Sequence, residues 1–263
     1  ETKIRRLESV LLGMHFVPVF SPYIFERGSV ESGGAIERAQ ALMDFYRDDT
    51  VKGIFDISGG DIANGILPYL DYGAIAACDK IFWGYSDLTT IINAIYAKAG
   101  RPSALYQICN FTYDHAEEQQ ENFKNTVFGN NETLFQFPYA FLQGTAMKGV
   151  VVGGNVRCFL KLAGTPYFPE LTDKILLLES LGGTAPQMLT YFSQLQQLGA
   201  FKQVRGILLG TFTQMEQEKC KPDVWTLLKR FITPELPVAK TAFIGHGTDS
   251  RAVMVGKYGE FEK

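Results

Sequence analysis

The chain has 263 residues, 46% of them hydrophobic, which is enough for one large domain or two small ones around a real core. Its 25 basic and 28 acidic residues leave a net charge of −3, so no long-range field draws it to nucleic acid or to an anionic membrane. No run reaches the roughly 18 consecutive apolar residues that span a bilayer, and the first eight residues carry helical charge where a secretory leader would carry an apolar core; a soluble, leaderless protein is expected.

In chain order, Ile4, Leu7, Val10, Leu11 and Leu12 form a helical stripe over 2–13 that stops at Gly13, and 15–20 reads as a short strand. An α/β sheet normally begins with a strand, and the chain starts at Glu1 without a methionine, so a first strand is expected upstream. A glycine-rich loop over 28–34 leads into an amphipathic helix from Ala35 to Tyr46, then a strand over 51–57, the Gly59-Gly60 turn and a helical stretch from Ile62 to Leu70. The apolar run 80–84 breaks at Gly84, presents Ser86 and passes into a helix that Gly100-Arg101-Pro102 ends near Lys98. A brief strand signal at 103–107 precedes a polar stretch to 132, with helical content around 117–123. The irregular, aromatic segment 135–144 holds the expected domain boundary: an N-terminal domain over 1–130, a linker over 131–145 and a C-terminal domain over 146–263.

The second half alternates strands at 150–152, 174–178, 204–210, 238–244 and 252–255 with helices at 155–163, 186–198 and 222–232. Asn155 is suited to cap the first of these helices and Pro186 to open the second. Cys78, Cys109, Cys158 and Cys220 show no C-x-x-C spacing, which argues against a zinc site or a redox pair. Reduced core thiols favour the cytoplasm, while two long-range disulfides stay open.

Four places carry chemistry. Ser86 stands where a strand turns into a helix; such a corner lifts a hydroxyl above the sheet edge beside free N–H groups, although a serine there also serves as a plain helix cap. Gly59-Gly60 is either an anion-facing backbone or simply a tight turn; in a parallel sheet it would emerge at the same carboxyl edge as Ser86. It lacks the third glycine of a dinucleotide fingerprint and the lysine of a P-loop. Glu179 ends four apolar residues and His246 sits between two glycines after a strand. Each has a structural alternative, as a salt-bridged or capping carboxylate and as a satisfied core or loop imidazole. Of the three histidines, His15 lies at a helix-to-strand turn and His115 in the polar middle section, so His246 leads as the base in a Ser, Glu, His order.

Gly59-Gly60 before Leu67-Pro68-Tyr69-Leu70-Asp71-Tyr72, then Gly84-Tyr85-Ser86-Asp87-Leu88-Thr89, Gly153-Gly154-Asn155, Gly164-Thr165-Pro166-Tyr167, Lys174 to Glu179 and Gly245-His246-Gly247 together resemble the LD-carboxypeptidase and microcin-immunity serine peptidases. The resemblance spans almost the whole chain and keeps the motifs in order. It implies an α/β protein with an N-terminal parallel-sheet domain, flavodoxin- or glutamine-amidotransferase-like, and a smaller C-terminal α/β domain, the site lying between them. It implies Ser86 as nucleophile, Glu179 as orienting acid, His246 as general base, and an oxyanion hole from the N–H groups of Gly60 and Asp87. The implied substrate is a small peptide, a muropeptide cleaved before a terminal D-alanine in the cytoplasm, with no cofactor, metal, nucleic acid or membrane partner and with a homodimer suggested. The alternatives are a microcin-type amidase acting on peptidyl- or aminoacyl-nucleotides, and a binding module without turnover. Asn155 is a candidate substrate contact. The chain departs from the pattern at Ser58, where many members have arginine. It departs again at Ser180, where many have a second acid, and at Leu105-Tyr106-Gln107, which replaces a His-Gly-Pro-like segment.

Overall fold

A computed structural model of the chain describes residues 2–25, 31–129 and 131–263; the expectations placed on Glu1, on 28–30 of the glycine-rich loop and on position 130 lie outside these residues. Helix α1 (Thr2–Gly13) buries Leu7 fully and leaves most of its surface to solvent. The strand expected over 15–20 does not form: 16–20 pair with no strand, and Pro18 lacks the N–H that a ladder would use. Phe16 packs instead against aromatic rings, 5.8 Å from Phe123 and 5.2 Å from Phe128, while Val17 and Val19 stay exposed.

Helix α2 (Ala35–Arg47) starts where the Glu37 carboxylate accepts the N–H of Gly34 at 2.8 Å. Strand β1 (Gly53–Phe55) follows, then a 3-10 segment (Ala63–Tyr69), α3 (Tyr72–Ala76), β2 (Ile81–Gly84), α4 (Thr89–Ala99), β3 (Ser103–Leu105) and α5 (Ala116–Val127). The second half runs β4 (Ala140–Gln143), β5 (Ala146–Asn155), α6 (Val156–Leu160), β6 (Lys174–Ser180), α7 (Ala185–Gln197), α8 (Ala200–Gln203), β7 (Gly206–Phe212), α9 (Thr213–Gln217), α10 (Val224–Leu228), β8 (Val238–Lys240), β9 (Val253–Val255) and β10 (Tyr258–Glu262).

Two sheets result. The first has the order β1-β2-β3-β9 and the second β10-β5-β6-β7-β8-β4. In both, the inner pairings are parallel and the added edges antiparallel: β9 on β3, β10 on β5 and β4 on β8. Parallel strands covered on both faces read as unbroken apolar runs, which is why Ile175 to Leu178 on β6 and Ile207 to Leu209 on β7 are all fully buried. The segment 131–145 supplies edge strand β4 to the second sheet, and β9, near the end of the chain, returns to the first. Helix 222–232 shortens to α10, capped by the Asp223 carboxylate on the N–H of Thr226 at 2.8 Å.

Helix α4 joins the halves. Its Asn93, fully buried, donates to the carbonyl of Gly153 at 2.9 Å and accepts the N–H of the same residue at 2.9 Å, while Thr89 Oγ1 accepts the N–H of Asn155 at 3.1 Å. Gly153-Gly154-Asn155 is the end of β5, which runs past the expected 152, and it seats the helix that follows Ser86.

Candidate active site

Strand β2 is the middle of three parallel strands, so its end opens at the carboxyl edge of the sheet, beside the Gly59-Gly60 turn that follows β1. The corner is tight. A side-chain carbon at Gly84 would lie 2.7 Å from Leu88 Cβ, and Leu88 is wholly buried. The first glycine alone makes room for the turn, and a leucine takes the place of the closing glycine of a full G-x-S-x-G elbow. Ser86 has φ +54°, in the left-handed region that a side chain rarely adopts, and opens a one-turn 3-10 helix (Ser86–Leu88) leading into α4. No side-chain capping bond is made at either helix start, which leaves the cap reading of Ser86 without its hydrogen bond.

Glu179 lies at the end of β6, where the register with β7 shifts between Leu178 and Ser180 and re-aims the side chain. The carboxylate is 1% exposed, and Oε2 is 2.8 Å from Nδ1 of His246, itself almost fully buried. An acceptor on Nδ1 places the imidazole proton there and leaves the Nε2 lone pair to face outward. Nε2 is buried without a partner among the described residues.

Strand β8 stops at Lys240, short of the expected 244: the N–H of Thr241 makes the last bond of the ladder to β7, at Leu209, and its hydroxyl donates to Pro138 at 2.7 Å. The chain then crosses β7, where Ile244 accepts the N–H of Thr211 at 2.7 Å. A side-chain carbon at Gly245, φ +142°, would sit 2.0 Å from Thr211 Oγ1, so only glycine lets His246 come this close to Glu179.

Ser86, Glu179 and His246 line one small cavity together with Tyr106, Gln107 and Arg251. No hydrogen bond joins Ser86 to His246 among the described residues, a looseness common before substrate binds. The Tyr85 ring stands 5.7 Å from the imidazole, and burial pushes its phenol up to about 12, so it stays protonated. Cys158, wholly buried behind the corner, is likewise pushed up to about 12 by burial. The four cysteines are free thiols. Among the described residues no cluster of His, Cys, Asp and Glu could hold a metal ion.

The two N–H groups expected at the oxyanion are held by one latch. Asp87 follows Ser86 in the first turn of a helix, where N–H groups lack intrahelical partners. Its carboxylate, 1% exposed, accepts the N–H of Ala63 at 2.8 Å and Lys161 Nζ at 2.5 Å. Lys161 also reaches the carbonyl and carboxylate of Asp61 at 2.9 and 3.1 Å, and Arg157 pairs with the same carboxylate and with the carbonyl of Gly60 at 3.3 Å. Helix α6 and the residue after it thus hold the Gly60 turn against the Ser86 corner.

Asn155 lies opposite Glu179 in the β5–β6 register, is buried, and uses its side-chain oxygen to cap α6 on the N–H of Cys158 at 3.3 Å; the small cavity itself is lined by other residues. Lys161, Arg251 and Gln119 carried no signal in the sequence, since each acts across a long separation. Gln119 accepts the Tyr106 hydroxyl at 2.7 Å and donates to the carbonyls of Thr248 and Ser250 at 3.2 and 3.0 Å, fixing the loop beyond His246.

A left-handed serine at a strand-to-helix corner shares a cavity with a carboxylate–histidine pair in an α/β protein whose two sheets have parallel centres. The chain belongs to the LD-carboxypeptidase family: the LD-carboxypeptidase N-terminal domain matches residues 1–106 and the C-terminal domain residues 148–261. It is 27% identical over 236 residues to a probable murein peptide carboxypeptidase of Bacillus subtilis, covering 84% of this chain and 72% of that one. It is 29% identical over 211 residues to the microcin C7 self-immunity protein MccF of Escherichia coli, covering 68% and 61%. A solved MccF-like protein from Bacillus anthracis superposes with a TM-score of 0.84 at 28% identity over 100% of this chain and 89% of that chain. The chain spans less than two thirds of several curated relatives, 61% of MccF and 64% of a Treponema pallidum protein to which it is 32% identical. No helix among the described residues is long and apolar enough to cross a membrane.

Proposed function

We propose that the protein is a serine-type LD-carboxypeptidase that removes a terminal D-alanine from muropeptides in the cytoplasm. His246 Nε2 takes the proton of Ser86 Oγ, Ser86 attacks the carbonyl of the L,D amide bond, and the N–H groups of Gly60 and Asp87 hold the oxyanion. The imidazolium, steadied by Glu179, returns its proton to the leaving amine, D-alanine departs, and water releases the acyl-enzyme by the same route. The observation that carries this reading is the 2.8 Å Glu179–His246 contact, with Nε2 unpaired in the cavity that Ser86 also lines. A binding module without turnover has no use for a strained serine beside an oriented base. Family membership and the resemblance to a murein peptide carboxypeptidase support the substrate class; free thiols suit a reducing compartment.

A second reading, an amidase acting on aminoacyl- or peptidyl-nucleotides, is favoured by the 29% identity to a microcin self-immunity protein and by Ser180 after Glu179. The deciding experiment incubates the full chain and Ser86→Ala with a tetrapeptide muropeptide and measures released D-alanine. Release by the wild type and none by the variant is expected. Silence from the wild type refutes the carboxypeptidase reading and turns the assay to an aminoacyl-nucleotide amide.

A further inference from the structure

Six buried side-chain nitrogen or oxygen atoms among the described residues lack a hydrogen-bond partner, and three of them belong to two residues lining the Ser86 cavity: Nε2 of His246, and Nε and Nη1 of Arg251. The base role accounts for the first. Arg251 has a different problem. Its side chain is 16% exposed, its backbone N–H is tied to the carbonyl of Phe243 at 2.7 Å, and only Nη2 has a partner, the Glu118 carboxylate at 2.7 Å. A guanidinium cannot shed its charge, and buried N–H groups left unpaired are costly until an acceptor arrives. Glu118 is more than half exposed and meets one nitrogen, so it holds the group in place without saturating it. The carboxylate that lines the cavity, Glu179, is engaged by His246.

We infer that Arg251 receives the free terminal carboxylate of the substrate, an inference that rests on the serine-hydrolase reading of the same cavity. In a C-terminal residue the carboxylate carbon lies within about 4 Å of the scissile carbonyl carbon, separated from it by one nitrogen and one Cα. A cation that reads the terminus must therefore share the cavity of the nucleophile, as Arg251 does. A longer chain or a C-terminal amide puts a neutral amide there, whose oxygen accepts a weaker hydrogen bond than a carboxylate does, so the same residue rewards exopeptidase cleavage and disfavours cleavage within a chain.

The test compares kcat/KM of the full chain for an N-acyl-L-lysyl-D-alanine and for its C-terminal amide, in the wild type, Arg251→Gln and Glu118→Gln. The wild type prefers the acid by about 10–100-fold, the worth of a charge-assisted hydrogen bond. Arg251→Gln loses most of that preference, chiefly through a higher KM for the acid, and Glu118→Gln keeps it. An unchanged preference in Arg251→Gln, or the same loss in Glu118→Gln, overturns the assignment. If Arg251→Gln does not fold, Arg251→Met, which keeps the apolar stem, is read in the same way. Turnover of neither compound by the wild type overturns the functional reading and this inference with it, whereas Ser86-dependent turnover with the preference unmoved overturns the inference alone.

Discussion

Replacing Lys161 by methionine tests the latch between the two halves of the site. Lys161 Nζ is 2.5 Å from a carboxylate oxygen of Asp87, whose side chain is 1% exposed, and the other oxygen accepts the N–H of Ala63. Removing one partner of a fully buried pair costs about 3–5 kcal/mol because a bare charge is left behind. The Lys161 side chain is 20% exposed, so water can reach the vacated position. The expected loss falls to about 2–3 kcal/mol, or roughly 4–12 °C in Tm at about 2–4 °C per kcal/mol. Asp87→Asn removes the charge but keeps an acceptor for Ala63, and in that background Lys161→Met costs about 1 kcal/mol or less, giving a coupling of at least about 1–2 kcal/mol. Urea unfolding of the two single variants and the double variant, followed by far-ultraviolet circular dichroism, measures the cycle. With the Gly60 turn loosened, kcat falls more than KM rises, because the oxyanion forms only in the transition state. A Lys161→Met variant within 0.5 kcal/mol of the wild type, or strict additivity, refutes the latch.

Two further outcomes follow from the same geometry. Glu179→Gln still accepts the Nδ1 proton but no longer steadies the imidazolium, so kcat drops by about 10³–10⁴-fold with KM little changed; steady-state kinetics showing a loss under tenfold would remove Glu179 from the reaction. Burial raises the Asp56 carboxyl above the ordinary carboxylate range, against the pull of the hydrogen bonds from Ser58. A raised folded-state pKa means that the unfolded chain gives up its proton first, so this group costs stability as pH rises from the ordinary carboxylate range through the folded value. Asp56→Asn therefore gains stability at neutral pH and little near pH 4; equal urea midpoints for the two proteins at neutral pH would contradict that.

Much of the site was legible because its parts are local. A run such as Lys174-Ile175-Leu176-Leu177-Leu178 ending in a carboxylate announces a buried parallel strand with a polar tip, and Gly245-His246-Gly247 announces a ring brought against backbone. The tight corner was visible in Gly84 and Ser86, although the role of Leu88 as filler for the missing glycine was not. The strand expected over 15–20 failed because Pro18 offers no N–H to a ladder and only Phe16 finds packing, on Phe123 and Phe128, while Val17 and Val19 stay exposed. Edge strands β4 and β10 escaped because they alternate weakly, with one face exposed.

The sequence by itself determined the apolar strands, the helix stripes and the corners that carry Ser86, Glu179 and His246, since these rest on periodicity and on backbone limits within a few residues. Only the tertiary structure decided that Asn155 lies opposite Glu179, that Lys161 binds Asp87 from 74 positions away, and that Arg251 and Glu118, 133 positions apart, form a pair. The physical reason is that an ion pair or a shared cavity depends on where packed layers bring distant residues, and a charged residue in sequence looks the same whether it ends in solvent or against a buried carboxylate.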